Sequence, residues 1–532
     1  MATTVRDATY DLLRSLGMTT VFGNPGSTEE PFLKDFPADF TYVLALQEAS
    51  AVAMADGYAQ VTGRPAHVNL HTTPGTGNAI GNLATAWYNR VPLVVTSGQQ
   101  TREMLLVEPL LTNRYPDLLP KPYVKWAYEP ARAADVPGAI MRGYATAVQP
   151  PAGPVYLSIP FDDWDQQAGP APAARQVSTR IGAEPQRLRE FADLLAASTK
   201  PALVVGAGVD RAGGWEAAVA LAEKLRAPVW STPWAERASF PEDHPQYQGM
   251  LPPAIKPLAD KLRGHDTVLV IGAPVFRYYP YVPGEYLPEG TRLLHVTDDP
   301  EEAARAPVGD SLLADARLAC RAFAEMLPAS DRPRPTPPAG PPPPEQGTPL
   351  SPDALYAALA SVWPDDGVLV EESPSNVEAL RRRLKIRRPA SFFTTGSGGL
   401  GYALPAAVGV AMGERDTGRR RPVVGVIGDG SFQYSVQALY SAAQHRLPVV
   451  YVVPVNHEYA ILKAFAEFEK APGVPGLDLP GIDIPAIARG YGCRAQAVGS
   501  ADEFTEAFRS ALGADGPTVL TVPISAKVPP LL

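Results

Sequence analysis

Four short segments of the chain carry residue types at spacings that could do chemistry. The first reads Val423-Val424-Gly425-Val426-Ile427-Gly428-Asp429-Gly430-Ser431, a buried apolar strand running into Gly-Asp-Gly, with a helical stretch expected from Ser435 to His445. Small residues at a strand end let the backbone approach a phosphate, and a following helix start stabilises the anion. A lone carboxylate there suits Mg²⁺, which takes oxygen ligands in phosphate company. After another strand comes Asn456, 26 positions beyond Gly430, whose amide oxygen offers a second ligand. The second segment places Glu48 directly after the apolar run Tyr42 to Leu46, at the start of an Ala-rich helical stretch. Glu at a helix start also complements the helix dipole, which is its simplest structural role. The third and fourth are Phe22-Gly23-Asn24-Pro25-Gly26-Ser27 and His71-Thr72-Thr73-Pro74-Gly75-Thr76-Gly77-Asn78, both strand-to-loop transitions. They bring Ser27 and His71 to the edge where open α/β sheets bind ligands, and a histidine there can move protons near neutral pH.

The elements that must position these residues read as strands alternating with helices. Short apolar runs occur at Thr20–Phe22, Tyr42–Leu46, His67–Leu70 and Leu93–Thr96, with helical stretches at Thr4–Met18, Ala49–Thr62 and Asn78–Tyr88 between or before them. The same alternation recurs after a polar connection at Gln166–Pro185, with strands at Ala202–Val205, Pro228–Trp230, Val268–Ile271 and Leu293–Val296. It recurs a third time with Val368–Val370, Val423–Ile427, Val449–Val453 and Thr518–Val522. Such alternation predicts an α/β protein of three doubly wound parallel sheets, covered on both faces by helices. The expected units are 1–180, 181–330 and 351–532. A Pro-rich linker at 331–350, centred on Pro341-Pro342-Pro343-Pro344, joins the last two as a semi-rigid spacer.

Composition narrows the function classes. With 47 basic and 56 acidic residues the formal charge is −9, which argues against a nucleic-acid partner. No apolar run reaches the ~18 residues of a membrane span, and Arg6, Asp7, Asp11 and Arg14 interrupt the N-terminal pattern where a signal peptide would be apolar. A cytoplasmic enzyme is expected. The only cysteines, Cys320 and Cys493, make neither a disulfide framework nor a zinc module. Gly206-Ala207-Gly208-Val209-Asp210 follows a strand, but Arg211 stands where a dinucleotide fingerprint needs its third glycine, so it is read as a scaffold turn.

Taken together, Val21–Ser27, Leu44–Gln60, His71–Asn78, Gly272–Tyr278, Gly398–Ala407 and Gly428–Ser431 resemble the thiamine diphosphate-dependent 2-keto acid decarboxylase and synthase family, over nearly the whole chain. Gly272–Tyr278 and Phe161–Asp165 favour its benzoylformate-decarboxylating branch over its acetolactate synthases. The resemblance implies a pyrimidine-binding first domain, a central Rossmann-like domain and a diphosphate-binding third domain, with no FAD. It implies that Glu48 hydrogen-bonds the cofactor's aminopyrimidine, that Ser27 holds the substrate and that His71 moves protons. Asp429, Asn456 and the backbone oxygen of Glu458 would hold Mg²⁺ or Ca²⁺. Ser375, Gly428, Gly430, Ser431 and Tyr459 would contact the diphosphate, the Gly398 carbonyl the pyrimidine amine, and Leu400 would wedge the cofactor into a bent shape. Pro25, Leu111, Thr394, Ile461, Leu462 and Phe465 would line the substrate pocket.

Four positions depart from the family pattern, in three places. Tyr279 stands where a second catalytic histidine is found, Val455 precedes Asn456 in place of an Asn, and Thr394 and Ile461 replace an aromatic and a small pocket residue. The implied activity is decarboxylation of an aromatic or bulky 2-keto acid to an aldehyde and CO₂. The alternative is a carboligase resembling the acetolactate synthases. A catalytically inert protein and a nicotinamide dehydrogenase are more distant readings. The resemblance also implies a homo-oligomer, dimeric at least and tetrameric by analogy, with Glu48 and Asp429 serving one cofactor from different chains.

Overall fold

The computed structural model describes residues 3–170, 172–345 and 347–531. Ala171 in the first connection and Gln346 in the proline tract lie outside the described residues. Three six-stranded sheets form, and every strand pairing in them is parallel.

The first sheet holds β1 (Thr20–Gly23), β2 (Thr41–Leu44), β3 (Ala66–Leu70), β4 (Leu93–Gln99), β5 (Ala127–Tyr128) and β6 (Val155–Pro160), in the order β2-β1-β3-β4-β6-β5. The second holds β7 (Pro201–Val205), β8 (Val229–Ser231), β9 (Tyr247–Met250), β10 (Thr267–Ile271), β11 (Arg292–Thr297) and β12 (Asp310–Leu313), in the order β12-β11-β10-β7-β8-β9. The third holds β13 (Val368–Glu372), β14 (Phe392–Thr394), β15 (Val423–Ile427), β16 (Val449–Val455), β17 (Arg494–Ala497) and β18 (Thr518–Pro523), in the order β14-β13-β15-β16-β18-β17. The first and third sheets therefore share one topology, while the middle sheet follows the dinucleotide-fold order. Its Gly-Ala-Gly turn is filled by backbone. A Cβ on Gly208 would lie 2.7 Å from Gly272 Cα.

The first and third sheets also share a core. Phe22, Val43 and Val68 belong to one hydrophobic cluster with Val370, Val423 and Val453. Between the sheets lie two helices, Glu48–Thr62 and Ala403–Asp416, that are buried almost all round. Their Ala- and Gly-rich sequences follow from that position, because a helix enclosed on all sides needs no polar stripe and packs closest with small side chains. A Cβ on Gly409 would sit 1.8 Å from the Met54 carbonyl oxygen, so the two backbones touch there. The middle sheet has its own core around Leu203, Val205, Leu269 and Leu294.

One buried polar junction ties the three sheets together. Asp56 accepts from Gln60 Nε2 (2.7 Å) and Tyr402 OH (2.8 Å), and Asn89 also donates to it. Arg237 of the middle region donates to Gln60 Oε1 (3.0 Å) and Asp210 (2.6 Å). Burial pushes the Asp56 carboxyl up to about 6.

The interior strands lie where their apolar runs place them, and the structure adds β5, β6, β9, β12, β14 and β17. All of these except β6 are short edge strands; Arg494–Ala497, for example, is four residues long and mostly exposed. The helical stretch expected at Ser435–His445 forms over its interior, and the one expected at Asn78–Tyr88 begins earlier, at Thr72. A single turn, Asp429–Phe432, begins inside the Gly-Asp-Gly segment, and a separate helix runs Ala438–Gln444. The Asp429 carboxylate accepts the next backbone N–H and opens the helix early. The described part of the proline tract forms no helix or strand and is mostly exposed. Gln248 and Arg383 hold the carbonyls of Thr336 and Pro342. No described helix is long and apolar enough to cross a membrane.

Candidate active site

The predicted residues fall into two groups, one at the carboxyl edge of the first sheet and one at that of the third. At the first edge Glu48 begins the helix Glu48–Thr62, with Gln47 as its N-cap. Its carboxylate is buried and held from both sides. Asn24 Nδ2 donates to Oε1 and Asn78 Nδ2 to Oε2, each at 3.0 Å. Each oxygen keeps a second lone pair for a ligand. Both amides lie in segments the sequence singled out, yet neither had been given a role; their signal was a shared sheet edge with Glu48.

His71 caps the helix Thr72–Tyr88 and lies beside Glu48. The two are separated by Gly75. A Cβ there would be 3.2 Å from Glu48 Cγ and 3.3 Å from His71 Cβ, so a side chain at this position would crowd both. His71 Nδ1 lies 2.8 Å from Glu29 Oε2 and 3.1 Å from Thr28 Oγ1. The Glu29 hydrogen bond holds the imidazole pKa above its ordinary value, against a smaller opposing effect of burial. Glu29, fully buried, was missed in the sequence. Ser27 and Pro25 stand exposed on the same loop. Leu111, in the loop after β4, has a left-handed backbone and is partly exposed.

At the third edge, Gly428 precedes the turn that Asp429 opens. Asp429 Oδ1 accepts from Gly430 N (2.9 Å), and Oδ2 from the N–H groups of Asn456 (3.2 Å) and His457 (2.7 Å). The loop after β16 is thereby folded onto the Gly-Asp-Gly turn, which brings Asp429 and Asn456 together. Ser431 is buried in the same turn. The Tyr459 ring covers Gly430 closely enough that a Cβ would meet Tyr459 Cε1 at 2.4 Å. Glu458 pairs through Oε2 with Lys463, while its Oε1 is buried without a partner. Among the described residues no cluster of three His, Cys, Asp or Glu could hold a metal. The oxygen set here is one carboxylate, one amide and one carbonyl, which fits a hard cation that completes its shell with phosphate oxygens and water.

The loop from Gly396 to Tyr402 is tied to the first region through Thr85 and Asn89 and to the third through Glu372 and Ser435. Gly398 has φ +75°. Leu400 is half-buried. Glu372, at the end of β13, accepts the backbone N–H groups of Gly401, Tyr402 and Ala403, each at 2.7 Å, and so fixes the loop's far end. Asn82 and Ser435 donate to the Gly401 carbonyl.

Residues 3–114 match the thiamine pyrophosphate enzyme N-terminal TPP binding domain, 188–323 its central domain, and 375–522 its C-terminal TPP binding domain. A benzoylformate decarboxylase of Pseudomonas aeruginosa is 49% identical over 99% of this chain and 100% of its own length. The chain belongs to the thiamine pyrophosphate enzyme family. Two solved structures are similar throughout. The benzoylformate decarboxylase of Polynucleobacter necessarius is 51% identical with a TM-score of 0.98, covering 99% of both chains. A thiamine diphosphate-dependent 4-hydroxybenzoylformate decarboxylase of Rhodococcus jostii is 46% identical with a TM-score of 0.95, covering 98% of this chain and 99% of its own.

In this thiamine pyrophosphate enzyme, Tyr279 lies together with part of the predicted pocket set. Tyr279 and Phe465 are in ring contact, and Phe465 shares the helix Ala460–Phe468 with Ile461 and Leu462. Ser375 Oγ accepts the Ile461 N–H at 2.9 Å and anchors that helix. The Thr394 hydroxyl donates to the Glu371 carbonyl at 2.8 Å, which leaves its oxygen able only to accept from a ligand.

Proposed function

We propose that this chain decarboxylates an aromatic or bulky 2-keto acid of the benzoylformate type to the aldehyde and CO₂, using thiamine diphosphate and Mg²⁺ or Ca²⁺. The observation that carries this is the convergence of Glu48, His71 and the Ser27 loop at one sheet edge, with Glu48 clamped by Asn24 and Asn78. Near-full-length likeness to benzoylformate decarboxylases supports the substrate class.

Bound thiamine diphosphate supplies the nucleophilic carbon and the electron sink for loss of CO₂. Glu48 hydrogen-bonds the aminopyrimidine, and the Gly398 carbonyl and Leu400 orient it. Asp429, Asn456 and the Glu458 carbonyl hold the metal, while Ser375, Gly428, Gly430, Ser431 and Tyr459 border the diphosphate. Ser27 holds the substrate carboxylate or keto oxygen, and His71 delivers and accepts protons. Tyr279 offers a phenol hydrogen bond beside the substrate. Pro25, Leu111, Thr394, Ile461, Leu462 and Phe465 border an apolar pocket that favours losing a charged carboxylate.

The functional units are 1–180, 181–330 and 351–532, with 331–350 as tether. The working form is a cytoplasmic homo-oligomer, dimeric at least. Leu106 and Leu110 are 93% and 89% exposed, and Val107 and Tyr115 in the same segment are exposed too; these are apolar side chains that a second copy would cover. Two free buried cysteines suit a reducing compartment.

The test is release of CO₂ and aldehyde from a panel running from pyruvate to phenylpyruvate and benzoylformate, with cofactor and Mg²⁺ added. Turnover highest on benzoylformate is the expected result. A stable acyloin from pyruvate as main product would make the chain a carboligase instead.

A further inference from the structure

Glu29 is a fully buried carboxylate that receives four donors. Oε1 accepts from Gly98 N (2.9 Å) and Thr28 Oγ1 (2.8 Å), and Oε2 accepts from Gly26 N (2.9 Å) and His71 Nδ1 (2.8 Å). These donors come from the turn after β1, the end of β4 and the loop after β3, so one side chain ties three strand ends together. A carboxylate of this kind is an acceptor only, which requires that Nδ1 carry the proton. His71 Nε2 has no partner among the described residues. The glycines around the pair are shaped to it. A Cβ on Gly26 would meet His71 Nδ1 at 2.2 Å, and one on Gly98 would meet Glu29 Oε1 at 2.1 Å.

We infer that Glu29 is the positioning residue of His71, locking the imidazole with Nδ1–H turned inward and Nε2 presented to the substrate. This deepens the decarboxylase reading and rests on it for the identity of the substrate. The arrangement does three things. It selects one tautomer, so Nε2 is the atom that accepts or delivers the proton. It orients the ring, because the Glu29 oxygens are themselves fixed by two backbone N–H groups and cannot follow a rotating imidazole. It also stabilises the imidazolium, so that the proton is retained closer to neutral pH. The acidic groups acting on the ring are Glu29 and, more weakly, Glu48; burial acts in the opposite direction. Glu29 also closes the turn that carries Ser27, since its own N–H donates to the Gly26 carbonyl at 3.1 Å. One residue thus sets the spacing between the substrate-holding hydroxyl and the proton-moving imidazole.

The test uses the holoenzyme with ¹³C-labelled histidine, the His71 signal being assigned by its loss in His71→Asn. In the wild type the imidazole is expected to titrate above the ordinary ~6.5. In Glu29→Gln the charge is gone, and the titration falls back to or below that value. The limb of the pH–rate profile set by His71 moves to lower pH with it. The same variant is expected to lose on the order of 10²-fold in kcat, the scale of general acid–base catalysis, with KM changed much less. Either orientation of the introduced amide places an NH₂ group against backbone N–H donors, so the fold of this variant is checked by thermal melting. Glu29→Asp, which keeps the charge, is the second variant and is expected to recover part of both kcat and the titration shift. A wild-type titration at or below ~6.5, or one unchanged in a folded Glu29→Gln, overturns the inference while leaving decarboxylation intact. A raised titration that collapses in Glu29→Gln, without turnover of any 2-keto acid by the wild type, supports the pairing and overturns the functional reading.

Discussion

The ring of Tyr279 lies against that of Phe465, with centroids 4.8 Å apart and planes tilted by 32°. Tyr279 comes from the middle region and Phe465 from the helix Ala460–Phe468, so two parts of the chain far apart in sequence meet at one aromatic contact. Tyr279 is nonetheless 60% exposed, which leaves its phenol free for a ligand. If the phenol gives one hydrogen bond, Tyr279→Phe should lower kcat by no more than about tenfold, the scale of ~0.5–1.5 kcal/mol. Tyr279→Ala also removes the aromatic contact and should raise KM for benzoylformate severalfold, by a comparable energy. Steady-state kinetics of both variants checks this; loss of all turnover in Tyr279→Phe would mean the phenol carries an obligatory proton.

Glu48→Gln should lose nearly all turnover while retaining cofactor. The amide cannot accept from both Asn24 and Asn78, nor stabilise a positive pyrimidine nitrogen, whereas the diphosphate contacts lie on the other sheet edge. Calorimetric titration with thiamine diphosphate, run beside the decarboxylation assay, separates the two effects. Wild-type rates would refute the role given to Glu48.

Chelation should act through affinity. Stripping the divalent cation, or the substitution Asp429→Ala, should weaken thiamine diphosphate binding by at least tenfold with the fold unchanged by circular dichroism. Asp429 also folds the Asn456–His457 loop onto the turn through backbone hydrogen bonds, so the substitution should cost more than chelation alone. Binding that is indifferent to chelation would remove the metal from the site.

Gly409→Ala should destabilise the chain despite alanine's better helix propensity of ~1 kcal/mol. Its Cβ would meet backbone at 1.8 Å, and the helices Glu48–Thr62 and Ala403–Asp416 would have to separate. Overpacking of that kind costs ~1–3 kcal/mol. A lowered Tm is the expected readout. Gly81→Ala, in the helix Thr72–Tyr88 where a Cβ meets nothing within 4 Å, serves as the control and should not lower it.

Leu110→Asp should shift the chain toward smaller species. A charge in the exposed patch of Leu106, Val107, Leu110 and Tyr115 opposes burial against a second copy. Sedimentation at equilibrium measures it, and decarboxylase activity should fall together with assembly.

Much of the interior was legible in the sequence, because a strand buried on both faces is a continuous apolar run. Such runs marked every non-edge strand except β6, while helix starts were less legible: the stretch expected from Asn78 begins at Thr72, and a short turn at Asp429–Phe432 precedes the one expected from Ser435. The segments around Ser27, Glu48 and His71 on the first sheet, and around Asp429 and Asn456 on the third, were legible as strand-to-loop transitions, since those at the carboxyl ends of one parallel sheet share an edge. The edge strands β5, β9, β12, β14 and β17 were not, because short pairing along one side only leaves little apolar signature. Pairing between distant segments belongs to the folded chain. No spacing rule joins Glu29 to Gly98 and His71, Glu372 to the N–H groups of Gly401–Ala403, or Tyr279 to Phe465. Apolar patterning is a local consequence of burial and can be read along the chain. A buried carboxylate's partners are set by which strand ends the sheet order places side by side, and no local pattern records that order.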